Sequence, residues 1–112
     1  MTLRLAAAAL LVAAWSAAAG PDRTVAVVIS RDGVTPREIT VRKGETIRLS
    51  VKSGDGEHCF ALDDLRIEKR VVPGKTTAVD VTPDKAGSFP FYCCLETGAA
   101  ADKQRGHLIV TE

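Results

Sequence analysis

The sequence predicts an all-β fold, a sandwich or barrel of seven to eight short strands. Two observations carry this reading. Beyond residue 19 no stretch holds a helical period, whereas several alternate apolar and polar residues with the period of two that a half-buried strand requires. Turn signals built from Gly, Pro and Asp then punctuate the chain roughly every 8–12 residues, the spacing of a sandwich or barrel.

Thr24–Ser30 (TVAVVIS) is rich in β-branched residues and reads as the first strand. Arg31–Pro36 contains Asp-Gly and a proline and reads as a turn. Glu38–Val41 is a short strand, and Lys43-Gly44-Glu45 turns the chain into Thr46–Val51, where Ile47, Leu49 and Val51 share one face. Ser53–Glu57 is loop. In His58–Leu62 the alternation puts His58, Phe60 and Leu62 in one phase and Cys59 and Ala61 in the other. Leu65–Val72 is a further extended piece, closed by Pro73-Gly74. Lys75–Val81 alternates again, with Thr77, Val79 and Val81 together, and Thr82–Ala86 is a turn. Phe89, Phe91 and Cys93 then share a phase, which predicts that Cys93 faces the core. A polar, Gly/Ala-rich loop follows, with room for one helical turn at Ala99–Ala101, before a last strand at Gly106–Thr111.

The first 19 residues read as a leader rather than fold. Arg4 precedes the apolar run Leu5–Trp15, and small residues end it at Ala17–Ala19, the layout of a cleaved signal peptide. The run is short for a membrane span, which takes about 20 residues. Cleavage leaves residues 20–112 as one domain in the periplasm or outside the cell, without a stable membrane anchor. This domain carries 14 basic and 14 acidic side chains. Such a balance argues against a nucleic-acid partner, which calls for a basic face.

Cys59, Cys93 and Cys94 are the three cysteines. Export places them where disulfides persist, and an odd count leaves one thiol unpaired. If the strands carrying them are neighbours, the geometry that brings His58 to Cys93 also brings Cys59 to Cys94. A Cys59–Cys94 disulfide is therefore expected, with Cys93 as the odd thiol. Three reduced thiols or a vicinal Cys93–Cys94 bridge are the alternatives. His58 and Cys93 each have a bland reading, a hydrogen-bonded core histidine and a small buried hydrophobe. Together, each at a strand–loop junction and on an inward phase, they suggest a metal site. Glu96, three residues past Cys93, and Gln104, before the last strand, are the loop donors best placed to join them. His107 is a weaker candidate.

From Thr35 to Val110 the chain resembles the cupredoxins. The resemblance rests on the strand–turn–strand Glu38–Val51, His58-Cys59-Phe60, the Pro73-Gly74-Lys75-Thr76-Thr77 turn, Asp84-Lys85-Ala86-Gly87 leading into Phe89-Pro90-Phe91-Tyr92-Cys93, and the Gly106-x-Leu108-x-Val110 ending. It implies a Greek-key β-sandwich and a copper site in which His58 is the early histidine and Cys93 the cysteine. The loop after Cys93 has a length similar to that of the binuclear copper domains of cytochrome oxidase subunit II and nitrous-oxide reductase. In that register the second cysteine falls on Thr97, the later histidine on Ala101 and the methionine on Gln104. Thr97 cannot replace a bridging thiolate, so the resemblance implies one copper ion rather than two. Glu96 stands at a spacing at which red-copper nitrosocyanin carries a ligand, and glutamine serves as a weak axial ligand in some blue-copper sites. Periplasmic cupredoxins associated with ferrous-iron import are similar in length and in their irregular ligand sets.

The expected function is that of an exported mononuclear copper-binding protein in electron transfer or copper handling, served by a redox or metal-transfer protein partner. A metal-free binding module that kept the scaffold is the alternative from another class. A small redox enzyme with an open coordination position is a third, and the sequence holds no substrate-pocket signal for it.

Overall fold

A computed structural model describes residues 20–112; the expected leader lies outside the described residues. Among the described residues nine strands form two sheets: β1 (Arg23–Ser30), β2 (Gly33–Thr35), β3 (Glu38–Arg42), β4 (Ile47–Ser53), β5 (His58–Leu62), β6 (Ile67–Val71), β7 (Thr77–Val81), β8 (Gly87–Tyr92) and β9 (Arg105–Thr111). One short helix, α1 (Gly98–Lys103), lies between β8 and β9. One sheet has the order β2-β1-β4-β7 and the other β3-β9-β8-β5-β6. The chain crosses between them, so β1 pairs in parallel with β4, and β3 in parallel with β9.

The core forms where the inward phases of the two sheets meet. Val27, Ile29, Ile47, Leu49, Val51, Val79 and Val81 pack from one side against Ile39, Val41, Phe60, Leu62, Val71, Phe91, Leu108 and Val110 from the other. β-Branched side chains suit this layer because they fit a pleated, half-buried surface. The Phe60 and Phe91 rings lie 5.3 Å apart, centroid to centroid, at 35°. This offset is within the range that favours aromatic pairs.

The differences from the sequence reading have local causes. The ninth strand is β2, three residues that pair with the end of β1, Ser30 opposite Gly33. Arg31-Asp32 is thus a two-residue hairpin turn, and Gly33 has the φ of +147° that favours glycine. The piece expected to run extended from Leu65 begins with a 3₁₀ turn at Asp63–Leu65 and becomes a strand at Ile67. The loop helix is longer than one turn.

β5 departs most from simple alternation, because all five of its residues are buried. It runs between β8 and β6, and its outer face is covered as well as its inner one. The ladder places the cysteines. Ala61 pairs with Tyr92. Carrying that antiparallel register two residues further puts Cys59 opposite Cys94. Their Cα atoms are 5.1 Å apart and the two cysteines form a disulfide. This separation suits both a directly opposed strand pair and a disulfide.

Candidate metal centre

The same register that places the disulfide on the outer face places His58 and Cys93 on the inner one. His58 opens β5, and Cys93 directly follows β8. Both side chains are buried: His58 is 2% exposed and Cys93 1%. His58 Nδ1 lies 3.7 Å from Cys93 Sγ. Cys93 is the free cysteine. The Phe60–Phe91 pair lies two residues inward along each strand and supplies an apolar floor.

Each member of the pair is held by a second contact. The backbone N–H of Cys59 donates to Cys93 Sγ at 3.5 Å. His58 Nε2 lies 2.6 Å from Asp55 Oδ1. With Nε2–H donating to this carboxylate, Nδ1 is left as the lone-pair nitrogen that faces the sulfur. Asp55 is itself anchored, for Arg31 N–H donates to its Oδ2 at 2.9 Å and Gly56 N–H to its Oδ1 at 2.7 Å. These donors, Arg31 first and then His58, hold the Asp55 carboxyl at about 2, below the usual carboxylate range. The β1–β2 turn thus fixes the loop, the loop fixes the imidazole, and the imidazole faces the thiol.

Gln104 is attached to the same end of the sandwich. It is 1% exposed, and its Nε2 donates to Ser30 O at 2.7 Å, next to the residue whose N–H holds Asp55. Its Oε1 is buried without a hydrogen-bond partner. A buried, unpaired carbonyl oxygen costs free energy unless something satisfies it.

Glu96 is half-buried in the loop. It is not gathered with His58 and Cys93, because Cys59, Glu68 and Cys94 are the one trio of such ligand atoms within 4.8 Å of one another among the described residues. Thr97 and Ala101 fall at the start of and within α1. His107 is exposed on β9, between Glu38 of β3 and Pro90 of β8.

The donor set passes a distance test for one transition-metal ion. Ligand distances of about 2.0–2.1 Å to imidazole nitrogen and 2.3 Å to thiolate sulfur let one ion join donors up to about 4.4 Å apart. The observed 3.7 Å lies inside that limit. A histidine whose other nitrogen donates to a carboxylate is also the usual support of a metal-binding imidazole. In the sequence Ser53–Glu57 reads as plain loop, which leaves Asp55 unmarked. The available signal was a carboxylate three residues before the histidine. Asp55→Ala is expected to weaken metal binding about 10–100-fold, and Asp55→Asn, which keeps an acceptor, by less. Competition against a chromophoric chelator measures both, and equal affinity in all three proteins would remove Asp55 from the support of the site.

The fold is thus a small two-sheet β-sandwich with a buried imidazole–thiol pair at one end. The chain belongs to the cupredoxin-like domain family, whose model matches residues 3–110. It is 29% identical over 94 residues to cytochrome c oxidase subunit 2 of Thermus thermophilus, a match covering 83% of this chain and 70% of that protein. It is 39% identical over 51 residues to the probable cytochrome c oxidase subunit 2 of Streptomyces coelicolor, covering 46% of this chain and 16% of that protein. Among solved structures it is similar to the periplasmic domain of subunit II of cytochrome oxidase from Bradyrhizobium japonicum. That likeness has a TM-score of 0.73 at 19% identity and covers 84% of this chain and 87% of that one.

Proposed function

We propose that this protein is an exported, mononuclear copper-binding cupredoxin that carries electrons or copper. The observation that carries the reading is the buried His58 Nδ1–Cys93 Sγ pair at 3.7 Å, with the far side of the imidazole fixed by Asp55. His58 and Cys93 are the principal ligands. Thiolate with imidazole is a donor set that suits copper and zinc, and copper binds such sites more tightly. Gln104 is the weak oxygen ligand, supported by its buried, unpaired Oε1. Glu96, half-buried in the loop after Cys93, is the proposed fourth donor on its sequence spacing alone.

Thr97 and Ala101 supply no second thiolate or imidazole, which supports one ion rather than two. Copper held there supplies one-electron transfer. The protein's own part is to hold two ligands rigidly, to bring an N–H to the sulfur, and to exclude water with Phe60 and Phe91. A redox or metal-transfer protein is the partner. The likeness to periplasmic domains of oxidase subunit II supports a place outside the cytoplasm.

Residues 20–112, loaded with Cu(II), should show a strong visible thiolate-to-copper band at one equivalent. Cys93→Ala should abolish it, and Gln104→Ala should shift it. An unchanged band in Cys93→Ala, or no stoichiometric binding by the wild type, would overturn the reading.

A further inference from the structure

The outer face of the β8–β5–β6 ribbon carries a second cluster, distinct from the inner pair. Ala61 of β5 lies between Tyr92 of β8 and Glu68 of β6, so these three form a row across the sheet. Cys59 is two residues before Ala61 and Cys94 two after Tyr92, so both share that face. The ligand atoms of Cys59, Cys94 and Glu68 all lie within 4.8 Å of one another. Glu68 is exposed and Cys94 half-buried, so the cluster is open to solvent on one side. Arg70, opposite Cys59, pairs with Glu57 at 2.7 Å rather than with Glu68.

As a disulfide, Cys59 and Cys94 offer no thiolate. We propose that reduction of this disulfide turns the cluster into a second metal site, in which the Cys59 and Cys94 thiolates and the Glu68 carboxylate bind a thiophilic ion of the Zn(II) class. Two thiolates, one carboxylate and an open position form a tetrahedral set that zinc accepts. The chemistry balances with a phosphine as the reductant. Phosphorus attacks one sulfur, the S–S bond breaks, and water hydrolyses the thiophosphonium. The products are two thiols and one phosphine oxide. Metal binding then releases the thiol protons. In a tetrahedral site with sulfur about 2.3 Å from the metal, the two sulfurs stand about 3.8 Å apart. Cα atoms 5.1 Å apart allow that separation once the bond is open. The bound ion rejoins β5 to the loop after β8, so the same two strands remain linked in either redox state.

The test uses residues 20–112 carrying Cys93→Ala, which removes the inner thiolate and makes the result independent of the proposed copper site. Zn(II) is the probe, counted by native mass spectrometry and titrated against a chromophoric chelator. Circular dichroism checks that the sheets survive reduction. Oxidised protein should bind no tight zinc, and phosphine-reduced protein one equivalent. Glu68→Gln, an exposed change that leaves the fold intact, should weaken that equivalent at least tenfold. No zinc on reduction, or the same affinity in the Glu68→Gln protein, would overturn the proposal.

Discussion

Replacing Cys59 and Cys94 together with alanine should lower the unfolding free energy by about 4 kcal/mol. The bridge closes a loop with a sequence separation of 35 residues, for which the chain-entropy relation gives about 4 kcal/mol at 25 °C. For a domain of this size that is a fall in Tm of about 15–30 °C. The native state contributes as well. Cys59 is buried, and its N–H contacts Cys93 Sγ, so truncation reaches the inner pair through the backbone. Two arms separate these effects. Phosphine reduction of the unmutated chain keeps both side chains but opens the loop, and should produce most of the loss. If reduction moves Tm by less than about 3 °C while the double alanine variant loses far more, packing and not loop closure is the source of the stability.

The disulfide also shows what the sequence made legible. His58-Cys59 and Cys93-Cys94 are two dipeptides whose members point to opposite faces, so pairing one set inward pairs the other outward. Strand adjacency alone is enough for this pairing, and the Ala61–Tyr92 register supplies the adjacency. The strands were legible for the same reason, since β4 and β7 present one apolar and one solvated face. β5 was harder. Its periodicity predicts one buried face, but Cys59 and Ala61 on the other are buried too, and no local pattern in five residues reports this. The support of the site was least legible. Asp55 matters because of a contact with the β1–β2 turn, 24 residues away in the chain. Gln104 is tied to Ser30 across 74 residues. Long-range polar contacts of this kind leave no periodic signature. Glu96 shows the converse: three-residue spacing from Cys93 placed it near in sequence, yet the loop does not bring it to the pair.

Gly106→Ala should be the most damaging glycine-to-alanine change among the described residues, costing about 3 kcal/mol and more than about 10 °C in Tm. Gly106 of β9 sits opposite Phe91 of β8, and the aromatic ring lies over the glycine. A Cβ there would clash with Phe91 Cζ and stand 2.5 Å from the Arg37 carbonyl oxygen. Neither obstacle yields easily. Phe91 is 1% exposed and packed on Phe60, while the Arg37 carbonyl accepts the His107 N–H at 2.8 Å. A displaced ring also disturbs the floor beneath Cys93, two residues along the strand, so the proposed thiolate-to-copper band should weaken with the fold. Phe91→Leu removes the ring edge but leaves the carbonyl. The double variant should therefore be less destabilised than the sum of the single ones by about 0.5–3 kcal/mol, the range for residues in contact, without returning to the wild-type value. Urea unfolding of the four proteins measures this coupling. Strict additivity would show that the ring is not what excludes a side chain at Gly106, and would leave the Arg37 carbonyl as the sole obstacle.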